Sequence, residues 1–254
     1  MIIDTHTHLY LNDFSEDIDT VIKRATDEGV ERFYLPAIDS SETENLLALE
    51  KKHPDKCFAM MGLHPCSVKE NYKEELALVH EWLGKRRFAA VGEIGLDFYW
   101  DKTFIQQQYE SFHQQIEWAL QFNFPVVLHT RNAVEESIKV IKEYSEKNLH
   151  GIFHCFSGTL QNAMDIISTG FYLGIGGVIT YKNSGLADVI KQIDLKHIVL
   201  ETDAPYLTPV PFRGKRNESS YLKYIVDKIA EIKNISAEEV AEITTNNAEN
   251  FFVK

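Results

Sequence analysis

Two histidines, His6 and His8, are separated by one residue and directly follow the apolar start Met1-Ile2-Ile3. Side chains at positions i and i+2 point to well-separated sides of a helix, but on a strand they share one face. A strand therefore lets both imidazoles reach one object, and neutral imidazole is a common metal ligand. An isolated pair of this kind is more often a surface feature, so its meaning depends on the rest of the chain.

Five other apolar segments also end in residues that bind metals or carry charge. These residues are His64 in GLHP, Glu93 and Asp97 in VGEIGLD, His129 and Arg131 in VVLHTR, His154 in IFHCF, and Glu201 and Asp203 in VLETDAP. A single histidine in an apolar strand is more often a core residue, but a carboxylate buried in such a strand needs a cationic partner. Four histidines and two carboxylates at matching strand ends predict a site for one or two divalent cations.

Eight short stretches rich in β-branched or aromatic residues predict eight strands. The predicted strands are Ile2–His8, Arg32–Ile38, Cys57–His64, Ala89–Leu96, Val126–Thr130, Gly151–Phe156, Tyr172–Gly176 and Ile198–Thr202. Amphipathic segments lie between them, which predicts parallel pairing through right-handed crossovers. Eight such units in 254 residues predict a single α/β domain over residues 1–254, a (β/α)8 TIM barrel.

An open, doubly wound sheet has the same local pattern, and the position of the ligand-type residues separates the two folds. In a barrel, the carboxyl ends of all strands open on one face, where residues far apart in sequence converge. In an open sheet, the first and eighth strands would generally lie too far apart to share a site. The pattern therefore favours the barrel.

The chain carries 26 Lys and Arg residues against 38 Asp and Glu residues, a formal net charge of −12. This charge argues against broad coating of nucleic acid, so a polyanionic substrate requires bound cations or a local basic patch. The sequence shows no signal-peptide pattern and no apolar run of membrane-spanning length. We expect a cytoplasmic protein with no membrane partner and no obligate protein partner.

Three cysteines, Cys57, Cys66 and Cys155, occur without any C-x-x-C spacing. The odd number and the spacing predict reduced thiols and no metal–thiolate site. Cys155 follows His154, and strand alternation predicts that its thiol points to the opposite face. A nucleophilic Cys/His pair is therefore not expected.

The ordered set of motifs resembles the TatD family of metal-dependent deoxyribonucleases, a branch of the amidohydrolase-like barrels. The matching stretches are DTHTHL, GLHP, VGEIGLDFY, VVLHTR, HCFSG, ETDAPYL, FRGKRNES and TTNNAENFF, and they extend over essentially the whole chain. The family pattern after the last strand usually reads RNEP, whereas this chain has Ser219 in place of the proline. We expect this difference to loosen the loop without changing the chemistry.

The resemblance implies a (β/α)8 barrel with a divalent-metal centre at the mouth and activity on DNA phosphodiester bonds. The ligands that it implies are His6, His8, Glu93, His129, His154 and Asp203. Glu93 would bridge two metals and Asp203 would also accept a proton from the attacking water, so both are predicted catalytic residues. Mg, Mn and Zn all remain candidates for the metal. The resemblance also implies 3′-to-5′ exonuclease action on single-stranded DNA.

Further residues near the strand ends are predicted to contact substrate or to support the ligands. The predicted substrate-binding residues are His64, Arg131, Arg213 and Arg216. Arginines can hold phosphates by charge-assisted hydrogen bonds, although a solvated charge run explains residues 213–216 equally well. Candidates for stacking on an unpaired base, with packing as the competing role, are Phe98, Tyr99, Trp100 and Tyr206. Asp4 and Glu201 are expected beneath the ligands, and Asp97 is expected to orient one of them.

Two other functions use the same type of site. The first is amide or ester hydrolysis, including hydrolysis of the aminoacyl ester on tRNA, by the same activated water. Several relatives on this barrel carry a carbamylated lysine on the fourth strand, where this chain has Glu93, and this favours the deoxyribonuclease branch. The second is a non-catalytic, metal-stabilised barrel that acts as a binding module. Because one fold supports many chemistries, the site must decide between them.

Overall fold

The structure, a computed structural model, describes residues 1–252. The strands among them are β1 (Ile2–Asp4), β2 (Val30–Leu35), β3 (Cys57–Ala59), β4 (Val91–Asp97), β5 (Val126–Arg131), β6 (Gly151–Phe153), β7 (Tyr172–Ile175) and β8 (Ile198–Leu200). The α-helices are α1 (Ile18–Asp27), α2 (Thr43–Lys52), α3 (Tyr72–Lys85), α4 (Ile105–Phe122), α5 (Val134–Lys142), α6 (Leu160–Ser168), α7 (Leu186–Gln192), α8 (Leu222–Lys233) and α9 (Ala237–Phe252).

All neighbouring strands pair in parallel, in two runs ordered β1-β2-β3 and β4-β5-β6-β7-β8. A parallel bridge between Met61 and Val91 joins the end of the first run to β4. At the other seam, Thr5 donates its backbone N–H and its hydroxyl to the carbonyl of Leu200, at 3.0 and 2.9 Å. The strands therefore close into the predicted (β/α)8 barrel, since an open sheet would leave β1 and β8 apart. The assignment of residues 1–254 to one domain stays a prediction.

The first strand is shorter than predicted. It ends at Asp4, so the prediction that His6 and His8 lie on a strand is wrong. Beyond Asp4 successive backbone groups bond to different neighbours. The N–H of Thr7 donates to the carbonyl of Tyr34 on β2 at 3.0 Å, and the N–H of His8 donates to the loop after β8 at 2.7 Å. This segment is therefore held by backbone hydrogen bonds to β2 and to the loop after β8, and not by the regular hydrogen-bond ladder of a strand.

Strands β3, β6 and β8 also end before their predicted boundaries, and His64, His154 and Asp203 lie in the loops that follow them. Glu93 and His129 lie inside β4 and β5, as predicted. The candidate ligands therefore come from the ends of strands and the first residues of loops. This is the face on which TIM-barrel sites are built.

An apolar layer fills the barrel below these residues. The buried residues that form it around the barrel are Ile3, Tyr34, Met60, Ala90, Val127, Ile152 and Val199. Ala248 and Phe251 of α9 pack against the same layer. Alternate residues of a strand share a face, so His129, two positions after Val127 on β5, also points inward. His154 and Glu201 directly follow β6 and β8, and their side chains lie 3.4 Å apart on the same side of the barrel. The polar side chains of the site therefore lie directly above the packed apolar layer inside the barrel.

The helices pack around the outside through apolar stripes, of which α1 is an example. Val21, Ile22 and Ala25 recur at helical spacing and are buried in the main core. Burying one Val or Ile side chain contributes about 1.5–3 kcal/mol. The helix ends before Gly29, whose φ of +83° is a conformation that glycine adopts readily. In residues 1–252, no helix has the length and apolar character needed to cross a membrane.

Candidate metal centre

The carboxylate of Glu93 lies among imidazoles at the mouth of the barrel. Its Oε1 atom is 2.7 Å from Nδ1 of His129 and 2.8 Å from Nε2 of His154. Its Oε2 atom is 3.1 Å from Nε2 of His6. Only 2% of the Glu93 side chain is exposed. Each oxygen of one buried carboxylate thus faces a different set of ring nitrogens.

A second group lies on the other side of Glu93. Oδ1 of Asp203 is 3.7 Å from Nε2 of His6 and 3.6 Å from Nε2 of His8. Tyr10 fixes the His8 ring, because its hydroxyl lies 3.1 Å from Nδ1 of His8 and donates to the carbonyl of Pro36 at 2.7 Å. Tyr10 was not predicted as a site residue, although it continues the i, i+2 spacing of His6 and His8. We call the six residues His6, His8, Glu93, His129, His154 and Asp203 the centre.

The donor atoms of the centre fit divalent cations. Within each of two sets, His6–His8–Asp203 and His6–Glu93–His154, the ligand atoms lie within 4.8 Å of one another. Nδ1 of His6 is buried without a hydrogen-bond partner, Nε2 faces Oε2 of Glu93 at 3.1 Å without the geometry of a hydrogen bond, and the ring stacks on that of His154 at 3.8 Å between centroids. Burying unpaired polar atoms costs free energy unless another group binds them. Nitrogen-rich sets suit Zn or Mn, whereas Mg prefers oxygen.

The two carboxylates of the centre differ in their affinity for protons. Burial alone would raise the pKa of Glu93, but the imidazoles of His154, His64 and His6 hold it well below its usual value. Burial raises the pKa of Asp203 to about 8, and the negative charge of Glu93 adds to this effect. Burial opposes charge on His154, yet Glu93 raises the pKa of that imidazole well above its ordinary value. Negative charge is therefore concentrated on Glu93, and a cation bound there would receive the largest electrostatic stabilisation.

Asp97 supports the centre from the end of β4. Its Oδ2 atom lies 2.8 Å from Nε2 of His129, and its Oδ1 atom accepts the N–H groups of Tyr99 and Trp100 at 2.9 Å each. Burial would raise the pKa of Asp97, but these bonds hold it well below its usual range. A carboxylate on one ring nitrogen orients the other, so Nδ1 of His129 faces Glu93. This is the orienting role expected for Asp97.

Glu201 lies beneath the centre, as expected. Its Oε1 atom accepts the N–H of Cys155 at 2.5 Å and lies 3.4 Å from Nδ1 of His154. Gly174 makes room for this carboxylate, because a Cβ atom at that position would lie 2.3 Å from Oε2 of Glu201. A larger residue on this part of β7 would therefore displace the group that supports His154.

Asp4 is the other carboxylate beneath the centre. It accepts the N–H and the hydroxyl of Thr202 at 3.0 and 2.6 Å. Burial raises the pKa of Asp4 to about 7. Ser219, which replaces the usual proline of the motif, is buried and donates its hydroxyl to Asp4 at 2.6 Å. The serine supplies a bond that proline cannot make, and the expected loosening of this loop stays a prediction.

The predicted substrate-binding residues differ in their surroundings. His64 lies at the centre, with Nε2 at 3.4 Å from Oε1 of Glu93. The guanidinium of Arg131 lies over the rings of Tyr99 and Trp100, at 4.0 and 5.1 Å from their centroids. The guanidinium of Arg213 lies 4.1 Å from the ring centroid of Tyr181.

Arg216 has different partners. It donates two hydrogen bonds to the carboxylate of Asp17, at 2.8 and 2.7 Å, and one to the carbonyl of Asp13. The structure thus brings His64 to the centre and leaves Arg131 and Arg213 on aromatic rings, but it pairs Arg216 with a carboxylate.

Two cysteines, Cys66 and Cys155, also lie near the centre. Cys155 follows the end of β6 with a φ of +49°, so strand alternation no longer sets its direction. Burial raises the pKa of its thiol well above the ordinary value, and the nearby charges of Asp203, Glu201 and Glu93 add to this effect. The sulfur of Cys66 lies within 4.8 Å of ring nitrogens of His64 and His129. A search for C-x-x-C spacing does not detect a cysteine whose neighbours are histidines.

The whole chain matches a sequence model of one protein family, described as TatD related DNase, over residues 3–253. The chain belongs to the TatD family. A TatD-family relative from Bacillus subtilis, named uncharacterized metal-dependent hydrolase YabD, is 39% identical over 253 residues, which cover 99% of each chain. A relative from Erwinia tasmaniensis, named 3′-5′ ssDNA/RNA exonuclease TatD, is 32% identical over 255 residues, which cover 98% of each chain.

A solved structure agrees with this assignment. The crystal structure of YjjV, a TatD homologue from Escherichia coli K12, matches with a TM-score of 0.94 and 30% identity. The match covers 100% of this chain and 98% of that chain. This chain and the TatD homologue thus share the barrel. The chain belongs with metal-dependent hydrolases, and its own candidate centre fits divalent cations.

Proposed function

We propose that this TatD-family chain is a metal-dependent deoxyribonuclease that shortens single-stranded DNA from its 3′ end. The observation that carries the proposal is a buried centre of imidazoles and carboxylates beside loops that carry exposed aromatic side chains. The relative whose name specifies an exonuclease supports the polarity and the single-stranded substrate.

In this proposal the six residues of the centre hold two cations, with Glu93 as the shared ligand. His6, His8 and Asp203 complete one position. His129 and His154 complete the other, since both face the same oxygen of Glu93 at 2.7 and 2.8 Å. Bound divalent cations, which Mg, Mn or Zn can supply, provide Lewis acidity toward water and toward the oxygens of a phosphodiester.

Asp203 is the residue proposed to accept a proton from water. Its side chain is 13% exposed, whereas that of Glu93 is 2% exposed. Of the two carboxylates, Asp203 is therefore the one that can pass a proton on to solvent. A general base must lie within hydrogen-bond reach of the proton that it accepts, and Asp203 lies beside two of the proposed ligands, with Oδ1 at 3.7 Å from Nε2 of His6 and 3.6 Å from Nε2 of His8.

Exposed apolar side chains lie in two loops beside the centre. Five of the eight exposed large hydrophobic side chains in residues 1–252 lie in the loops after β4 and β8: Tyr99, Trp100, Tyr206, Leu207 and Val210. The exposed fractions of Tyr99 and Trp100 are 50% and 66%. Large aromatic side chains in solvent at a polar site are typical of stacking surfaces for unpaired bases. A single strand, whose bases are unpaired, can use this surface.

Arg131 and Arg213 are proposed to bind phosphates of the strand. In residues 1–252, neither guanidinium has a carboxylate within ion-pair distance, and both lie on aromatic rings. His64 is proposed to contact the scissile phosphate from the centre. The two guanidinium groups would supply the local positive charge that a polyanionic substrate needs on a protein with a formal net charge of −12. The prediction that Arg216 also binds phosphate stays untested, and its bonds to Asp17 argue against it.

The test uses metal-stripped protein and single-stranded oligodeoxynucleotides labelled at either the 3′ or the 5′ end. Mg²⁺, Mn²⁺ and Zn²⁺ are added back separately. We expect cation-dependent shortening of the 5′-labelled strand in steps, with early release of the 3′ label. Glu93→Gln should abolish the reaction. Glu50→Gln, which changes a carboxylate paired with Arg86 outside the centre, should retain it.

Two results would contradict the proposal. Steady release of the 5′ label first would reverse the polarity. Absence of cleavage with every cation, from folded protein that binds the cations, would replace the nuclease with an ester or amide hydrolase that uses the same centre. Aminoacyl esters on RNA would then be the first substrates to assay.

A further inference from the structure

The hydroxyl of Tyr10 determines which nitrogen of the His8 ring carries a proton. Tyr10 is buried, and its hydroxyl donates to the carbonyl of Pro36 at 2.7 Å. The same oxygen lies 3.1 Å from Nδ1 of His8. A hydroxyl has one hydrogen to donate, and a carbonyl oxygen can only accept. The hydroxyl therefore accepts the bond from the ring, and Nδ1 of His8 carries the proton.

A proton on Nδ1 leaves the lone pair of the neutral ring on Nε2. Nε2 of His8 faces the centre, at 3.6 Å from Oδ1 of Asp203 and 3.7 Å from Oε2 of Glu93. Neutral imidazole binds a cation through one lone pair, and the bond made by its other nitrogen selects the tautomer. The contact with Tyr10 thus gives His8 the tautomer that a ligand needs on the side of the centre.

The segment that follows β2 connects this contact to the backbone of Glu93. The carbonyl of Ala37 accepts the N–H of Glu93 at 3.2 Å. Pro36, which directly precedes Ala37, accepts the hydroxyl of Tyr10. The two residues after β2 therefore hold Glu93 directly and hold His8 through Tyr10. The hydroxyl fixes both the tautomer of the ring and its place beside the carboxylate.

We propose that Tyr10 is a positioning residue that selects the cation-binding tautomer of His8 and thereby supports one cation position. The inference rests on the two-cation arrangement of the proposed function, in which His6, His8 and Asp203 complete that position. Without the hydroxyl, Nδ1 of His8 has lost its acceptor in a buried place, which disfavours the tautomer with the proton there. Molecules with the proton on Nε2 have no lone pair toward the centre, so cation binding at this position weakens.

The other cation position has a different supporting side chain. Asp97 orients His129, with Oδ2 at 2.8 Å from Nε2 of that ring. His8 does not belong to the donor set that contains Glu93 and His154. Loss of the Tyr10 hydroxyl should therefore weaken the position of His8, and loss of the Asp97 charge should weaken the position of His129.

The first test is binding of cadmium alone to metal-stripped protein, followed by cadmium NMR over a series of chelator-buffered concentrations. The loaded wild type should give two signals, one for each position. Tyr10→Phe should raise the cadmium concentration that half-fills one position by about 10–100-fold. Asp97→Asn should have this effect on the other signal. Unchanged binding in Tyr10→Phe, or weakening of the same signal in both variants, would overturn the proposal.

Tyr144→Phe is the matched control. The hydroxyl of Tyr144 lies 2.8 Å from Nδ1 of His113, in a second tyrosine–histidine pair outside the centre. This variant removes the same atom from the same kind of contact, and both cadmium signals should fill as in the wild type. Equal weakening in Tyr144→Phe and Tyr10→Phe would contradict an effect that acts through His8.

A second measurement uses only the wild type. Nitrogen NMR of cadmium-loaded protein with isotope-labelled histidine reports which ring nitrogen carries hydrogen and which binds the cation. The His8 ring is identified by cross-relaxation with the ring of Tyr10, whose centroid lies 5.8 Å away. We expect hydrogen on Nδ1 and cadmium on Nε2. Cadmium on Nδ1 of His8 would overturn the proposal even if Tyr10→Phe fails to fold.

None of these measurements requires turnover of DNA, so failure of this inference and failure of the proposed function are distinguishable. A single cadmium signal in the wild type would remove the two-cation arrangement. The response of that one cation to Tyr10→Phe would still decide the role of Tyr10, because weaker binding supports it and unchanged binding contradicts it. If both positions fill as expected but no DNA is cleaved, the nuclease function fails and the role of Tyr10 stands.

Discussion

The centre and the loops around it hold their polar side chains in different ways. In the centre, the ring nitrogens of His129 and His154 lie within 2.8 Å of one buried carboxylate. In the surrounding loops, Arg131 stacks on exposed rings, whereas Arg216 is paired with Asp17. The centre is thus a set of ring nitrogens gathered around one buried carboxylate. In the loops, by contrast, each arginine contacts a separate partner.

The difference shows that residue type alone does not decide whether a cation at the mouth is available to substrate. Arg131 and Arg216 both lie in motifs of the family, and both were predicted to bind phosphate. Arg131 has no carboxylate within ion-pair distance in residues 1–252, but Arg216 already donates two bonds to one. A phosphate would have to displace the carboxylate of Asp17 to bind Arg216. At Arg131 it could bind the guanidinium while the contacts with the aromatic rings remain.

Removal of divalent cations is expected to produce the largest change. A cation present at 100 times its Kd stabilises the folded state by about 2.7 kcal/mol. For a chain of this size, that corresponds to a Tm lower by roughly 5–10 °C after chelation. Thermal unfolding with a chelator, and again after addition of excess Mn²⁺, measures the shift. An equally large shift in Glu93→Gln would place the bound cation outside the centre.

Asp97→Asn is expected to have the next largest effect, because Asp97 orients His129 without belonging to the centre. The amide keeps the size of the side chain but loses the charge that holds the ring. We expect the Mn²⁺ concentration for half-maximal turnover to rise by about 10–100-fold. Asp101→Asn is the control, since Asp101 pairs with Lys69 outside the centre. Equal effects of the two substitutions would remove the orienting role of Asp97.

Trp100→Ala tests whether the exposed rings bind bases. Stacking of one base on an aromatic side chain contributes about 1–3 kcal/mol, so we expect KM for single-stranded DNA to rise by about 5–150-fold with a smaller change in kcat. Met164→Ala, which removes an exposed hydrophobic side chain from α6, should leave KM unchanged. On a strand with abasic 3′-terminal nucleotides, the wild type and Trp100→Ala should have similar KM values. A persistent difference there would mean that Trp100 does not act through bases.

How well each region can be predicted from the sequence depends on whether its interactions join residues that are close or distant along the chain. Strand alternation and the cost of burying a carboxylate are local, and they indicated Glu93, His129 and His154 correctly as neighbours. The partners of the arginines are not local, since Asp17 and Arg216 are 199 positions apart. The same limit explains why Cys66 was missed, because it lies in a short 3-10 helix and its neighbour His129 comes from β5. The position of Cys155 depended on where β6 ends, and strand ends are set by tertiary bonds.

Arg216→Ala is expected to have the smallest effect, and its comparison with Arg131→Ala is the sharpest test of the two kinds of arginine. Arg216 and Asp17 are both partly exposed, and such ion pairs contribute about 0–1 kcal/mol to stability. We therefore expect a Tm lower by about 2–4 °C at most and little change in KM. Arg131→Ala should raise KM for single-stranded DNA with little change in Tm.

The two substitutions remove the same side chain and the same charge, so any difference in KM reports the partner that each arginine has in the free protein. Asp17→Asn provides the decisive third variant, because it removes the ion pair of Arg216 without removing the arginine. If the ion pair is what keeps Arg216 from substrate, Asp17→Asn should lower KM, and Arg216→Ala in that background should raise it again. If Arg216→Ala alone raises KM as much as Arg131→Ala does, then phosphate displaces Asp17, and the loop after β8 binds the strand as the sequence first indicated.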